Sequence, residues 1–237
     1  TVNFDANGGN TPLPTSKQVT FGSTYGTLAT TSRTGYTFTG WFTAASGGSQ
    51  VATSTVVSNA FDHTLYAQWT ALPNHTVNFN SNGGSGSMSP QVSNVPTALT
   101  TNAFTRVGYS FAGWNTSASG TGIAFANGAA FDFSTNLTLY TQWTANVYTV
   151  TFDANGGNAP APTSKQVTFG SIYGTLATTN RTGYSFAGWF TAASGGTQVI
   201  PSSIVSNASN HTLYAQWTAN NYTVLFDSNG GSPYFPA

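Results

Sequence analysis

The acidic side chains are the first candidates for chemistry, because hydrolysis of a glycosidic bond needs two carboxylates that face one site. All five acidic residues of the 237-residue chain are Asp. Asp5 and Asp62 would have to form such a pair, but the matching positions later in the chain carry Asn80 and Asn210. A glycosidase-like pair of catalytic carboxylates is therefore not expected.

The histidines lack the spacing of a catalytic triad or a metal site. His63 follows Asp62 in a Ser-rich segment, but no Gly-x-Ser-x-Gly elbow accompanies it, and the later copy is Asn210-His211. His75 adds no metal-ligand spacing. We predict no catalytic residues, no metal site and no cofactor.

Asp5 and Asn7 resemble the beginning of a calcium loop, which would need further oxygen ligands and usually a Glu. Asn80 replaces Asp5 in a later copy of the same turn. The favoured interpretation is a turn in which the Asp5 side chain accepts backbone hydrogen bonds, with calcium binding as the alternative.

Aromatic side chains are the remaining candidates for binding, since exposed rings can stack on sugars. The six Trp lie in strand patterns and are expected in the core. Three Arg are each separated by one residue from a following Gly-Tyr pair, where a guanidinium can lie on the ring: Arg33, Arg106 and Arg181. A polar and aromatic stripe is the better ligand candidate, although partial packing is the more common role for such Tyr: Tyr66, Gln68, Tyr140, Gln142, Tyr214 and Gln216.

Charge and composition exclude several classes of partner. Five Lys and Arg balance five acidic residues, so the chain has no basic patch for nucleic acid or for an anionic membrane surface. An aromatic content of 14% favours a folded protein over a disordered one. Because the chain has no Cys, disulfide bonds give no information on its compartment.

Internal repetition is the main feature of the sequence. The opening motif Val-x-Phe-x-x-Asn-Gly-Gly begins again after 75, 73 and 74 residues. Gly-Tyr-x-Phe-x-Gly-Trp and Leu-Tyr-x-Gln-Trp-Thr each occur three times. We therefore expect four parts: module 1 (1–71), module 2 (76–145), module 3 (149–219) and the beginning of an incomplete fourth module (223–237).

Modules 1 and 3 are nearly the same, with 57 identical residues in 71. Module 2 is more distant, and the fourth begins like module 2, which indicates alternation of two module types in a longer parent protein. Within a module, alternation at Val2 and Phe4 predicts a strand, and Asn7-Gly8 predicts a turn. Val19 and Phe21 predict a second strand, and a short helix or an irregular crossing is expected at 53–62.

These motifs resemble the Listeria-Bacteroides repeat, which includes the internalin B-repeat, over essentially the whole chain. The resemblance implies a mainly β (α+β) fold class, with small ubiquitin-like (β-grasp) modules in an elongated array. It also implies an extracellular or cell-surface location in bacteria, often within adhesins, and no catalytic motif.

Our leading hypothesis is a non-catalytic stalk or spacer, in which the modules are one another's partners. The first alternative is a module that binds a glycan or a host surface protein. The second alternative is an extracellular filament subunit, joined when an orphan strand at 223–227 adds to the sheet of another chain.

Overall fold

The computed structural model describes residues 1–227 and 229–231. In these residues every regular element is a β-strand, and no helix occurs that could span a membrane. The mainly β expectation is confirmed, and its α+β part is wrong. Contacts divide the chain into two compact units: Thr1–Asn80 with Ser87–Ala103 and Gly113–Tyr140, and Ser81–Gly86 with Phe104–Ala112 and Thr141–Ala237.

The segment 53–62 is an irregular crossing and not a helix. Its backbone groups bond to a neighbouring segment: Tyr25 N–H donates to Thr55 O (2.9 Å), and Val57 N–H donates to Ser23 O (2.8 Å). β-branched residues and Ser, which favour other conformations over helix, make up most of it.

The strands of module 1 form a five-stranded sheet in the order β2-β1-β5-β3-β4. Their bounds are β1 (Val2–Asp5), β2 (Ser16–Lys17), β3 (Tyr36–Phe42), β4 (Gln50–Val51) and β5 (His63–Ala71). The first and last strands pair in parallel, with Phe4 beside Leu65. Because side chains alternate along a strand, Leu65 and Ala67 of β5 are both buried on one face.

Trp41 is the largest side chain of the module 1 core and is 2% exposed. A bulge between Phe38 and Gly40 shifts the register just before it, and Gly40 has a φ of 145°, which favours glycine. The Trp41 indole N–H donates to Ala29 O at 2.9 Å, so its polar atom is satisfied in the core.

Module 2 contributes seven strands. Their bounds are β6 (His75–Asn80), β7 (Gln91–Ser93), β8 (Thr97–Ala98), β9 (Tyr109–Asn115), β10 (Ala124–Phe125), β11 (Ala130–Phe131) and β12 (Leu137–Ala145). As in module 1, the first and last strands pair in parallel, with Phe79 beside Leu139. A separate two-stranded sheet pairs β8 with β11.

The strands of module 3 repeat the module 1 sheet in the order β14-β13-β17-β15-β16. Their bounds are β13 (Val147–Asp153), β14 (Ser164–Thr168), β15 (Tyr184–Phe190), β16 (Gln198–Val199) and β17 (His211–Ala219). Trp189 takes the place of Trp41, with its indole N–H on Ala177 O at 2.8 Å.

The expected strand through Val19 and Phe21 is wrong in module 1, where β2 ends at Lys17. Val19 packs against the core, but Phe21 is 65% exposed. In module 3 the matching strand reaches Thr168, because Val147 of the preceding linker pairs with that residue.

Residues 223–227, expected as an orphan strand, are exposed and lie outside any strand of this chain, and their addition to the sheet of another chain stays a prediction. In modules 1 and 3 the matching strand lies between two other strands of its sheet. A strand needs such neighbours for stability. Of the rest of the expected fourth module, residues 229–231 are described by the structure. Residues 228 and 232–237 lie outside the described residues.

The Asn-Gly turn fastens the end of β1 to the rest of its module. Asn7 has a φ of 47°, and its backbone N–H donates to Asp5 Oδ1 at 2.8 Å, as expected of a turn closed by an Asp side chain. The Asn7 side-chain amide donates to Ala45 O (2.8 Å) and Ala67 O (2.9 Å). Asn155 repeats this arrangement in module 3.

We predict that Asn7→Ala weakens module 1 by about 2–4 kcal/mol, because it removes two hydrogen bonds and because Ala tolerates the positive φ of this position less well than Asn does. Asn7→Gly keeps the backbone conformation and should cost about 1 kcal/mol less. Hydrogen exchange of the β1 and β5 amides measures both effects. The exposed Ser46→Ala is the control, and equal exchange in all three variants would contradict the assigned role.

Candidate functional sites

The polar and aromatic stripe lies on the last strand of each module. Tyr66, Tyr140 and Tyr214 are half-buried. In the sheet Tyr66 lies between Asp5 of β1 and Phe42 of β3. These tyrosines are thus partly packed within their own sheet, and their use in ligand binding stays a prediction.

Gln68 holds a surface loop of module 1. Its amide donates to Ala44 O (3.0 Å) and Gly47 O (2.6 Å). Gln216 makes the same two bonds to Ala192 O (3.0 Å) and Gly195 O (2.6 Å). The amide that could bind a ligand is therefore already engaged by backbone carbonyls in both modules.

A small cleft of about 210 Å³ opens beside Gln68. Its lining brings Gln68 together with another residue singled out from the sequence, Arg33, but does not include Tyr66. The remaining lining residues are Asn7, Ala45, Ser46 and Trp69. The cleft is too small for most ligands, whose pockets occupy about 300–1,000 Å³.

A tyrosine and histidine pair in modules 1 and 3 was missed by the sequence analysis, which treated the histidines as scattered. The Tyr25 hydroxyl lies 2.6 Å from His63 Nε2, and Tyr173 lies 2.7 Å from His211 Nε2. Burial raises the pKa of Tyr25 and of Tyr173. The signal was available, because the two residues recur 38 positions apart in both modules.

In module 3 the pair borders a cleft of about 300 Å³. Several hydroxyl and amide side chains also line it: Thr191, Thr197, Gln198, Ser203, Ser206, Asn207 and Thr212. No carboxylate lies in this lining, and no cluster of three or more metal-binding side chains occurs in the part of the chain that the structure describes.

The two lysines shared by modules 1 and 3 bind backbone. Lys17 Nζ donates to Tyr25 O (2.6 Å) and Thr27 O (2.7 Å), and Lys165 repeats these bonds in module 3. The position of Asp62 is occupied by Asn136 in module 2 and by Asn210 in module 3. Each of these Asn side chains accepts a hydrogen bond from a backbone N–H at 2.8 Å, so the position requires an oxygen acceptor and not a charge. These residues therefore have structural roles.

Each Arg singled out from the sequence stacks on the Tyr three residues later, as expected. The guanidinium carbons lie 3.8, 4.0 and 3.9 Å from the ring centroids of Tyr36, Tyr109 and Tyr184. We call each Gly-Tyr pair beneath such an Arg a seat: Gly35–Tyr36, Gly108–Tyr109 and Gly183–Tyr184. The stacking fixes the Tyr ring of each seat.

The first seat is covered by residues of module 2. The side-chain amide of Asn94 donates to Gly35 O at 3.2 Å, and Leu72 N–H of the linker donates to the same oxygen at 2.9 Å. A Cβ added to Gly35 would lie 2.9 Å from Val95. The contact therefore needs glycine for its close approach as well as for its φ of 80°.

The second seat is covered by Phe169 of module 3. The rings of Tyr109 and Phe169 meet edge to face with centroids 5.6 Å apart. A Cβ added to Gly108 would lie 2.3 Å from the Phe169 ring. Asn146 of the linker donates its N–H to Gly108 O and accepts from Phe169 N–H, both at 2.9 Å.

The third seat has the same linker bond but no such cover among the described residues. Asn220 N–H donates to Gly183 O at 2.9 Å, whereas a Cβ added to Gly183 would meet nothing within 4 Å. Tyr184 is 37% exposed. The seats thus form a recurring contact site that two modules occupy.

Three relatives are among the known proteins that this chain resembles. A predicted Gly-rich membrane protein of Evansella cellulosilytica is 35% identical over 85% of this chain and 24% of its own length. A second predicted membrane protein of that organism is 32% identical over 97% of the chain and 33% of its length. Internalin H of Listeria monocytogenes is 37% identical over 49% of the chain and 20% of its length.

The chain thus spans between a fifth and a third of the length of these relatives. The profile of the Listeria-Bacteroides repeat domain matches it three times, at residues 1–68, 75–142 and 148–216. These matches cover most of the sequence and include the Asn-Gly turns, the seats and the buried Trp residues. The chain belongs to the Listeria-Bacteroides repeat family.

Proposed function

We propose that the chain is a non-catalytic stalk or spacer within an extracellular protein of a bacterial surface, such as an adhesin. The observation that carries the proposal is the pair of occupied seats. Each joins one module to the next through a short linker that is itself hydrogen-bonded to the seat glycine. A protein that must hold another domain at a distance needs such joints between its modules.

The names of the relatives support the proposed surface location. Two of them are named as membrane proteins and one as an internalin. The composition supports a structural role, because most of the Lys, Gln and Asn residues described above bond to backbone of their own module. The few carboxylates are dispersed among modules and form no pair that could share a substrate.

We further infer that each module is a domain of the ubiquitin-like type in which an irregular segment replaces the helix. The support is the strand order of modules 1 and 3, with the first and last strands parallel at the centre of a mixed sheet. The proposed domain boundaries are those of the repeats, 1–71, 76–145 and 149–219.

The spacer role predicts that length increases in equal steps as modules are added. Small-angle scattering on shortened chains that end at Ala71, Ala145 and Asn220 should give maximum dimensions that rise by a constant increment. Gly35→Val, which adds a β-branched side chain where Val95 already packs, should broaden the distance distribution of the two-module chain. A maximum dimension that does not grow with module number would exclude a spacer.

Binding of a glycan or host protein through the stripe is the alternative function. It is favoured by the half-buried Tyr rings and by the nearby cleft that Gln68 and Arg33 share. The engagement of the Gln68 amide by two carbonyls counts against it. A structural role for Gln68 and a ligand-binding role make different predictions for the same substitutions.

We predict that Gln68→Ala speeds hydrogen exchange in the loop at 43–48 by roughly fivefold to a hundredfold, since two hydrogen bonds of about 0.5–1.5 kcal/mol each are lost. Tyr66→Ala should leave that loop unchanged. On a glycan array the spacer role predicts no specific binding by the unmodified chain. Specific binding that disappears in the Tyr66→Ala, Tyr214→Ala variant would instead establish the stripe as a ligand site.

A further inference from the structure

We propose that the polar cleft of module 3 binds one neutral sugar unit of a glycan. The polar cleft is the space of about 300 Å³ beside Tyr173 and His211. It is separate from the polar and aromatic stripe, because neither Tyr214 nor Gln216 lines it. The inference goes beyond the spacer role, since it adds a ligand site to a module that a spacer needs only for its length.

The chemistry of the lining selects a neutral ligand that is rich in hydroxyl groups. In the described part of the chain, the walls of the cleft contain no Asp, Lys or Arg, so no charge in them attracts an ion. Hydroxyls and amides form most of the polar lining, and a hydroxyl both donates and accepts hydrogen bonds. Sugar hydroxyls have the same double capacity, so a neutral sugar is the best chemical match.

The pair of Tyr173 and His211 supplies a fixed acceptor in the cleft. His211 Nδ1 lies 2.9 Å from Ser209 O, which can only accept, so this nitrogen carries the proton. In the neutral ring, Nε2 then accepts from the Tyr173 hydroxyl at 2.7 Å. The Tyr173 oxygen keeps a lone pair for a donor on the ligand, and the ring is only 7% exposed, so packing holds it in place.

Hydrogen bonds within the module hold the walls of the cleft before a ligand arrives. Thr191 Oγ1 accepts from Thr197 N–H at 2.9 Å, and Ser203 Oγ accepts from Ile200 N–H at 3.0 Å. Both oxygens act as acceptors here, so their O–H protons remain available to a ligand. Walls that are already ordered lower the cost of binding.

Exposed hydroxyls lie beside an aliphatic surface in the same cleft. The side chains of Thr197 and Ser206 are exposed and make no hydrogen bond within the part of the chain that the structure describes. Ile204, which also lines the cleft, is 55% exposed. A pyranose ring carries hydroxyls at its rim and C–H groups on its faces, so it can use both kinds of surface together.

The Tyr and His pair is a feature of modules 1 and 3. In the parallel strand pair, His63 and His211 lie beside the first Val of their modules, whereas Leu137 takes this position in module 2. A Leu side chain cannot accept a hydrogen bond from a Tyr hydroxyl. Module 2 is therefore an internal reference, which has the same strand pairing without this site.

The test is an NMR titration of the full chain with four neutral sugars in turn: glucose, galactose, mannose and N-acetylglucosamine. A single sugar unit on a small cleft should bind with a dissociation constant of about 1–100 mM. We expect at least one of these sugars to shift the amide signals of residues 197–212 in a saturable way. The amide signals of module 2 should stay unchanged.

The double variant Thr197→Val, Ser206→Ala removes two hydroxyls that the folded module itself does not use. It should weaken sugar binding at least about fivefold, because two hydrogen bonds to the ligand are lost. The matched control is Thr182→Val, Ser194→Ala, which makes the same changes at exposed positions of module 3 outside the cleft. This control should bind like the unmodified chain.

Tyr173→Phe tests the acceptor on the Tyr ring. It keeps the buried ring, removes the hydroxyl oxygen and should weaken binding about twofold to tenfold. The same substitution in module 1, Tyr25→Phe, is the control and should leave the sugar-dependent shifts of residues 197–212 as they are.

Three results would overturn the proposal. The first is that none of the four sugars shifts residues 197–212 up to about 100 mM. The second is that the double variant binds as tightly as its control. The third is tighter binding at the cleft by a charged sugar, glucuronate or glucosamine, or by the peptide tri-alanine. None of them would affect the spacer role, which depends on length per module.

Discussion

Parallel pairing of the first and last strands is the interaction on which each module depends. It joins segments about 60 residues apart, such as Phe4 and Leu65 in module 1, and so closes nearly the whole module as one loop. The entropy of closing such a loop must be offset by contacts made elsewhere. The core around Trp41 and the turn at Asn7 supply them, and both lie next to the paired strands.

Neutral polar side chains take the place that ion pairs have in many proteins. Asn7 and Gln68 each donate two hydrogen bonds to backbone carbonyls of distant segments. Such bonds satisfy carbonyls in loops that have no sheet partner. They also explain how a folded chain manages with only 4% charged residues, because amides orient the loops without carrying charge.

Much of the fold could be predicted from the sequence, because period-two alternation and Asn-Gly turns are local signals. The stacking of Arg33 on Tyr36 was also accessible from spacing alone. The exposure of Phe21 was not, since the alternation at Val19 and Phe21 continues beyond Lys17, where the strand itself ends. The role of Gln68 was equally hidden, because its carbonyl partners lie more than 20 residues away.

The first two seats bring neighbouring modules into contact, since each places a glycine and a stacked Tyr against the following module. A seat that is covered by the following module should hold the two modules in one arrangement. Because the chain has no Cys, spin labels at the exposed positions Ser85→Cys and Ser194→Cys would report the distance between modules 2 and 3 without background. Pulsed electron resonance should give one narrow distance distribution, broadened by Phe169→Gly. A broad distribution in the unmodified chain would contradict the account.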